Sequence, residues 1–262
     1  MRTETVSRQK ASEWLRRWDT QQSSFYTDRE ERFRVMGDVV EAALAEVDEP
    51  VILDLGCGPG SLAIRLRERL PRARIIGIDS DPLLLGLARA AYPEEAEWVD
   101  ADLAGPAWRA HVPGQVHAAV STTALHWLTA EGLGSLYRAL SELLVPGGVF
   151  VNGDHMGLDD DGLDTLADRV HDRSLDRAGV RENEGWLDWW DAVLADDDLA
   201  DLARARAERV PTQADADSDH KRHHGTNGFS VGAHQRLLVR SGFRAAHPVW
   251  QVGNDHVLVG SR

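Results

Sequence analysis

The chain has 262 residues, 27% of them charged and 42% hydrophobic, so it is long enough to bury a core and its composition does not predict wholesale disorder. Its formal net charge is −14 and no basic patch is visible, which disfavours partners that present phosphate backbones or anionic lipid surfaces. Cys57 is the single cysteine, which excludes an intramolecular disulfide and a cysteine-based zinc site.

The chain begins with a polar sequence that lacks the apolar core of a secretory signal. No later run approaches the roughly 20 apolar residues that a membrane span needs. We therefore expect a cytoplasmic protein with neither a membrane nor a nucleic acid as partner. The sequence leaves the oligomeric state open, a homo-oligomer included.

Helical periodicity begins the chain. Trp14, Leu15 and Trp18 share one face of a predicted helix, and apolar residues between 35 and 47 predict a second one. We assign residues 1–47 to an N-terminal helical lid.

From residue 51 to residue 156, short apolar runs alternate with amphipathic stretches, which is typical of βα units that build a parallel sheet. Asp81 followed by Pro82 predicts a helix start, because aspartate caps the first turn and proline fits its first position. We assign residues 48–156 to a Rossmann-like core. The predicted strands lie in VILDLG, RIIGID, AEWVDADL, HAAVSTTAL and PGGVFVNGD.

The alternation stops at residues 157–228, an Asp-rich and helical-looking stretch that we assign to an inserted cap over a substrate pocket. The core resumes at residues 229–262. There we expect a helix closed by Gly242 and a β-hairpin that turns at Gly253, Asn254 and Asp255.

A glycine-rich segment, DLGCGPGS at residues 54–61, joins the first predicted strand to the following helix. Glycines at such a junction let a ligand approach the backbone closely. The glycines are Gly56, Gly58 and Gly60, and Ser61 stands where a dinucleotide fingerprint has its third glycine. The spacing argues against a pyrophosphate ligand. A tight turn without any ligand is the structural alternative.

Acidic residues follow the next two strands. Asp79 closes the second strand, where a carboxylate can accept hydrogen bonds from both ribose hydroxyls of an adenosine. Its alternative role as a helix cap is already filled by Asp81. Asp102, with Asp100 as its nearest competitor, follows the third strand and is placed to accept a bond from an adenine amino group. All of these positions lie at carboxyl ends of strands, where open α/β sheets bind ligands.

These segments, together with STTALHWL and LVPGGVFV, resemble the successive motifs of class I S-adenosylmethionine-dependent methyltransferases. The resemblance covers about residues 48–156 and 229–262. It implies an α/β, Rossmann-like fold with a mostly parallel seven-stranded sheet and an antiparallel last strand. It also implies S-adenosyl-L-methionine as cofactor and S-adenosyl-L-homocysteine as product.

The resemblance places the glycine turn beneath the methionine moiety, Asp79 on the ribose, and Asp102 with Leu103 at the adenine. The segment ERFRVMGDVV is similar to one that precedes the core in trans-aconitate-type methyltransferases. It suggests Arg32 as a partner of the cofactor carboxylate, with a solvated helix charge as the alternative. The cofactor-binding residues implied are Arg32, Asp54, Gly56, Gly58, Gly60, Asp79, Ser80, Asp102, Leu103 and Ser121.

Methyl transfer from a sulfonium requires alignment of the acceptor and, where a proton leaves, a base. His155 follows the fifth strand at the ligand-facing edge, and we expect it to be that base. His126, just past the fourth strand, and Tyr26, in a lid loop, are the other catalytic candidates. His126 has a packing role as its alternative, and Tyr26 an exposed position without function.

The cap contributes the candidate substrate contacts, which are Trp186, Trp190, His223 and His224. The tryptophans, with Trp189, have the core of the cap as their alternative role. His220, His223 and His224 lie near several aspartates but lack the ligand spacing of a zinc site, so we assign no metal.

The sequence thus predicts a methyltransferase that acts on a small molecule, with an aromatic or indole-containing secondary metabolite as the preferred substrate. The whole chain is similar to actinobacterial secondary-metabolism methyltransferases, including those that methylate carbon 3 of an indole. The acceptor atom, carbon, oxygen or nitrogen, stays open. The alternatives are a non-catalytic regulator that binds the cofactor and a nicotinamide-dependent oxidoreductase.

Overall fold

The computed structural model describes residues 6–209 and 228–262. Within them, one sheet contains seven strands in the order β3-β2-β1-β4-β5-β7-β6. Strands β1 to β5 pair in parallel, and β7 lies antiparallel between β5 and β6. This confirms the predicted fold class. The strands are β1 Val51–Leu55, β2 Arg74–Asp79, β3 Glu97–Asp100, β4 Val116–Thr122, β5 Leu144–His155, β6 Ala245–Val252 and β7 Asp255–Ser261.

The helices include the predicted N-terminal pair, the crossovers of the core and three in the cap region. Asp81 caps α4 as predicted, accepting hydrogen bonds from the backbone N–H groups of Leu83 at 2.9 Å and Leu84 at 3.2 Å. The helices are α1 Arg8–Gln22, α2 Arg29–Ala43, α3 Ser61–Arg69, α4 Pro82–Ala91, α5 Ala130–Leu143, α6 Asp161–Ala178, α7 Trp186–Leu194, α8 Ala200–Ala207 and α9 Val231–Arg240.

Helices cover both faces of the sheet, so its central strands are apolar along most of their length. On one face α2 and α3 bury Phe33, Met36 and Leu66 against it. On the other, α5 and α9 bury residues such as Tyr137 and Leu238. Helix α2, part of the predicted lid, therefore also belongs to the layer that packs on the sheet.

The strand order reverses at β1, which pairs with β2 on one side and β4 on the other. The helical connections that start on either side of such a point run over opposite faces of the sheet. A crevice therefore opens between them, outside the carboxyl ends of the two strands. The glycine turn after β1 and the segments after β2, β4 and β5 meet at this crevice.

A cluster of tryptophans joins α1, α7 and α4. The Trp18 and Trp189 rings lie 4.8 Å apart and the Trp14 and Trp189 rings 5.8 Å apart, both edge to face. Trp189 is completely buried, and the cluster packs on Leu83 and Leu84 of α4. The alternative role of these tryptophans, as a packed core, therefore holds for Trp189.

Among the described residues, no helix combines the length and apolar character that crossing a bilayer requires. His220, His223 and His224 lie outside the described residues.

Candidate functional site

A cavity of about 1280 Å³ lies at the crevice, between the carboxyl ends of the strands, the α1–α2 segment and the cap helices. Its volume exceeds the roughly 300–1,000 Å³ typical of a pocket for one small ligand, so it has room for a cofactor and a second molecule. Sequence-predicted residues on its wall are Tyr26, Gly56, Gly58, Asp79, Ser80, His126, His155, Trp186 and Trp190.

The glycine turn has the left-handed backbone that its sequence predicts, with φ angles of 68° at Gly56, 52° at Gly58 and 91° at Gly60. A β-carbon on Gly58 would meet only Leu84, at 3.9 Å, so this glycine leaves open space on the cavity side. A β-carbon on Gly60 would lie 2.4 Å from the Trp98 ring. Gly58 thus leaves room for a ligand, and Gly60 for internal packing.

Asp79 anchors this turn. One carboxylate oxygen accepts a hydrogen bond from the Gly58 N–H at 2.8 Å, and the other accepts one from the Asp81 N–H at 2.8 Å. Burial raises the pKa of Asp79 to about 6. A carboxylate has about four lone-pair positions, so acceptor capacity remains for two hydroxyl groups of a ligand.

These residues fit S-adenosylmethionine, because the open glycine turn and the carboxylate at the end of β2 line one cavity, and that cavity is large enough for the cofactor. Gly56, Gly58, Asp79 and Ser80 are the residues that would hold it.

Six residues that the resemblance assigned to the cofactor lie off the cavity wall, Arg32 among them. Asp54 is fully buried beneath the turn, where burial raises its pKa to about 7. Ser121 donates its hydroxyl to the Leu55 carbonyl at 2.7 Å, and Asp102 accepts from the Ala104 N–H at 2.8 Å. The remaining two are Gly60 and Leu103.

The expectation for Arg32 needs correction. Arg32 is completely buried, donates to Asp255 at 2.8 Å and lies 4.6 Å over the Tyr26 ring, so it does not reach the cavity. Arg29, one helical turn earlier, lines the cavity and pairs with Asp19 at 2.8 Å. The same Asp19 accepts from the Ser61 hydroxyl at 3.0 Å, which ties α1 to the glycine turn.

His126 and Asp154 form a buried pair at the edge of the cavity. The His126 Nδ1 lies 2.9 and 3.1 Å from the two carboxylate oxygens of Asp154. Thr123, whose φ of 50° is unusual for a residue with a β-carbon, turns the chain at the end of β4, and its backbone N–H donates to the Gly153 carbonyl at 2.9 Å. The short 3-10 turn Leu125–Trp127 then carries His126 to Asp154 on the neighbouring strand.

His155 and Tyr26 lie beside this pair, with ring centroids 4.6 Å apart. Burial and the neighbouring Arg32 lower the pKa of His155 well below its usual range, so its ring is neutral. Burial raises the pKa of the Tyr26 phenol, which keeps it protonated. The His155 Nε2 is enclosed and has no hydrogen-bond partner among the described residues.

The second half of the cap covers the side of the cavity near α4. Arg206 donates to Asp81 at 2.7 Å, and its guanidinium lies 3.9 Å from the centroid of the Trp190 ring. Trp190 is therefore connected through Arg206 to Asp81, close to the predicted ribose residues, and the Trp186 ring lies 5.7 Å from the Trp190 ring.

Sequence reasoning missed several residues of this site. Asp154 directly precedes His155, but only the pairing of β4 with β5 shows that it meets His126. Arg29 lies three residues before Arg32, but only the packing of α2 shows that Arg29, and not Arg32, lines the cavity. Arg206 had no signal, because its partner Asp81 is 125 residues away in the chain.

Within residues 6–209 and 228–262, no group of three histidine, cysteine, aspartate or glutamate side chains is arranged to hold a metal ion. The histidines between residues 220 and 224 lie outside these ranges.

Comparisons with known proteins agree with this geometry. Residues 52–148 match a family model described as a methyltransferase domain. The trans-aconitate 2-methyltransferase of Azoarcus sp. strain BH72 is 38% identical over 132 residues, which cover 50% of this chain and 48% of that protein. The enzyme of the same name from Escherichia coli K12 is 39% identical over 99 residues, which cover 37% and 36%. The matched region thus spans less than half the length of these relatives.

Solved structures share the fold. An O-methyltransferase family protein from Burkholderia thailandensis superposes with a TM-score of 0.53 at 17% identity, over 92% of this chain and 62% of that one. Human N-acetylserotonin methyltransferase in complex with SAM gives a TM-score of 0.50 at 17% identity, over 92% and 59%. Residues 52–148 thus match a methyltransferase domain, and the strand order and the glycine turn agree with the class I S-adenosylmethionine-dependent fold that the sequence motifs resemble.

Proposed function

We propose that this protein transfers a methyl group from S-adenosylmethionine to a small molecule bound in the same cavity. The observation that carries the proposal is that one cavity is lined by the open glycine turn, by Asp79 and by His126, whose ring is paired with the buried Asp154 behind it. When bound, the cofactor supplies a methyl group on an electrophilic sulfonium. The chain has to position the acceptor, exclude water and take up a proton where one leaves.

Three residues have distinct tasks in holding the cofactor. Asp79 accepts hydrogen bonds from ribose hydroxyls while it keeps the glycine turn in place. Gly58 provides space for close approach to the backbone. Arg29, held in place by its ion pair with Asp19, lines the cavity and would contact the cofactor carboxylate through the remaining N–H groups of its guanidinium. Asp54 is buried beneath the glycine turn and supports it. Asp102, Leu103 and Ser121 do not line the cavity, so we assign them to holding the chain in place at the ends of β3 and β4.

His126 is the proton acceptor in this proposal. Asp154 accepts the Nδ1 proton, which leaves Nε2 unprotonated, and a carboxylate behind a histidine stabilises the cation formed when that nitrogen takes a proton. His155 is a poor base, because burial lowers its pKa. Tyr26, whose phenol stays protonated, is a hydrogen-bond donor to the substrate. The role of base thus passes from His155, as expected from the sequence, to His126.

The cap has the task of excluding water. Arg206 closes the side of the cavity near α4 through its ion pair with Asp81, and both side chains are only about one-eighth exposed. Trp190 beneath the guanidinium adds an apolar wall. A dry site strengthens the electrostatic effect of Asp154 on His126.

An aromatic substrate remains the preferred class. Rings of Phe25, Tyr26, Trp127 and His155 line the cavity, and the Trp127 ring lies 5.2 Å from the His126 ring. Flat side chains of this kind pack well against flat ligands. An indole-containing secondary metabolite is one member of this class.

The proposal is tested with S-adenosylmethionine that carries a tritiated methyl group, incubated with the protein and a library of aromatic metabolites. We expect label in at least one small product. Tight binding of S-adenosylhomocysteine without transfer to any metabolite or protein would instead indicate a non-catalytic regulator. Preference for NADH over S-adenosylhomocysteine in calorimetry would indicate an oxidoreductase.

A further inference from the structure

The side of the cavity formed by α6 is strongly acidic. Asp161, Asp164, Asp168 and Asp172 recur at intervals of three or four residues, so they share one face of the helix, and all four line the cavity. Asp159 and Asp160, just before the helix, line it as well. Among the described residues, the wall has eight aspartates and two arginines.

Most of this charge has no counter-ion within the described part of the chain. Asp164 accepts from the Leu158 N–H at 2.8 Å, and Asp168 accepts from the Asn254 amide at 2.8 Å, so their hydrogen-bond partners are neutral. The two wall arginines are already paired, Arg29 with Asp19 and Arg206 with Asp81.

Arg236 lies 3.4 Å from Asp159 and Arg181 lies 3.4 Å from Asp172, so the two ends of the acidic face are partly neutralised. Its middle, Asp161, Asp164 and Asp168, is not neutralised by any described cation.

A second observation points to a ligand at this face. His155 lines the same cavity, and its buried Nε2 has no hydrogen-bond partner among the described residues. The His155 ring packs edge to face on the ring of His171, 5.0 Å away, and His171 lies between Asp168 and Asp172 on α6. A buried polar atom without a partner is costly, and a ligand that donates a hydrogen bond would remove that cost.

We propose that the substrate of this enzyme carries a cationic group, such as an ammonium, which Asp161, Asp164 and Asp168 bind and whose N–H donates to His155. The inference rests on the proposed function, since it concerns the methyl acceptor. An ammonium has no lone pair and cannot accept a methyl cation. The charged group is therefore a handle for recognition, and the acceptor atom is elsewhere in the substrate, on the side of His126.

The same carboxylates disfavour anions. A tricarboxylate, which the names of the sequence relatives suggest as substrate, would face several carboxylates here that no described cation neutralises, and the two arginines of the described wall are already paired.

The test is isothermal calorimetry on the full chain saturated with S-adenosylhomocysteine. Three indoles of similar size serve as probes: tryptamine, a cation, tryptophol, which is neutral, and indole-3-propionate, an anion. We expect tryptamine to bind about tenfold more tightly than tryptophol, since several exposed or half-exposed ion pairs act together. The anion should bind more weakly than tryptophol. The advantage of tryptamine should shrink at high salt.

A pair of variants separates the local effect from the net charge. Asp161→Asn combined with Asp168→Asn should remove most of the tryptamine advantage. Asp191→Asn combined with Asp197→Asn removes the same charge from cap residues that do not line the cavity, and should preserve it. Both variants should bind S-adenosylhomocysteine like the unmodified protein.

Three results would overturn the proposal. The first is tryptamine binding no more tightly than tryptophol, and the second is an equal loss of the tryptamine advantage in the control variant and the α6 variant. The third is a loss of S-adenosylhomocysteine affinity in the α6 variant by the same factor as tryptamine, which would assign the carboxylates to the cofactor. Absence of S-adenosylhomocysteine binding to the unmodified protein would instead refute the proposed function, so the two failures are distinguishable.

Discussion

Asp79→Asn is the substitution that most directly tests the cofactor site. The side chain keeps its shape but loses its charge, and one of its two oxygens becomes an NH₂ group. In the native protein these oxygens accept from the Gly58 and Asp81 N–H groups, both at 2.8 Å. In either orientation, the new NH₂ faces a backbone N–H, and that donor loses its partner.

The size of the effect follows from these contacts. A buried donor left without a partner costs about 1–3 kcal/mol, and the bonds from ribose hydroxyls to a charged acceptor are weakened as well. Part of this cost appears in the stability of the free protein. We therefore expect the dissociation constant of S-adenosylhomocysteine, measured by calorimetry, to rise about 10- to 100-fold.

The pH dependence gives a second measurement on the same residue. Ribose hydroxyls donate to the carboxylate, so binding favours the deprotonated form, and affinity is lost as the pH falls through the native pKa of about 6. For the unmodified protein, we expect affinity to fall about tenfold between pH 7 and pH 5, because most Asp79 is then protonated. The Asn variant should lack this dependence.

Asp100 provides a matched control. It lies opposite Asp79 in the register of β2 and β3, pairs with Arg209 and does not line the cavity. Asp100→Asn should bind S-adenosylhomocysteine normally. An unchanged dissociation constant for a folded Asp79→Asn protein, or an equal loss in both variants, would refute the role assigned to Asp79.

Three further predictions follow from the buried charges. Asp154→Asn should lower kcat about 100-fold with little change in KM, because the asparagine no longer orients His126 or stabilises the His126 cation. An unchanged kcat, measured with labelled cofactor and an acceptor, would return the role of base to His155. Asp54→Asn should raise the free energy of unfolding above pH 7 by about 2 kcal/mol or more, because the buried carboxyl with a pKa of about 7 holds a proton that the unfolded chain releases near pH 4. In urea titrations without ligand, the unmodified protein should therefore lose stability as the pH rises from 4 to 7, and a parallel loss in the variant would contradict this. Arg32→Met should destabilise the fold by about 3 kcal/mol by leaving Asp255 unpaired, and loss of S-adenosylhomocysteine affinity in a stably folded variant would restore Arg32 to the cofactor site.

The sequence by itself determined the sheet and the glycine turn. Alternating apolar runs, the proline after Asp81 and the glycines at residues 56, 58 and 60 are local signals. Each acts through neighbouring residues in the chain, by backbone conformation, capping or periodicity. The same locality explains why the sequence alone was enough to single out Asp79, which closes a strand and anchors a turn.

Only the tertiary structure decided which side chains meet. His126 and Asp154 are 28 residues apart, Arg32 and Asp255 are 223 apart, and Arg206 and Asp81 are 125 apart. The sequence resemblance singled out Arg32, but the packing of α2 on the sheet buries Arg32 against Asp255, and Arg29 lines the cavity instead. Likewise, the aspartates of α6 have the spacing of a solvated helix face, and the packing of the cap over the strand ends makes them a wall of the cavity. Burial, charge pairing and the pKa of each group depend on these long-range contacts, and a sequence pattern cannot specify them.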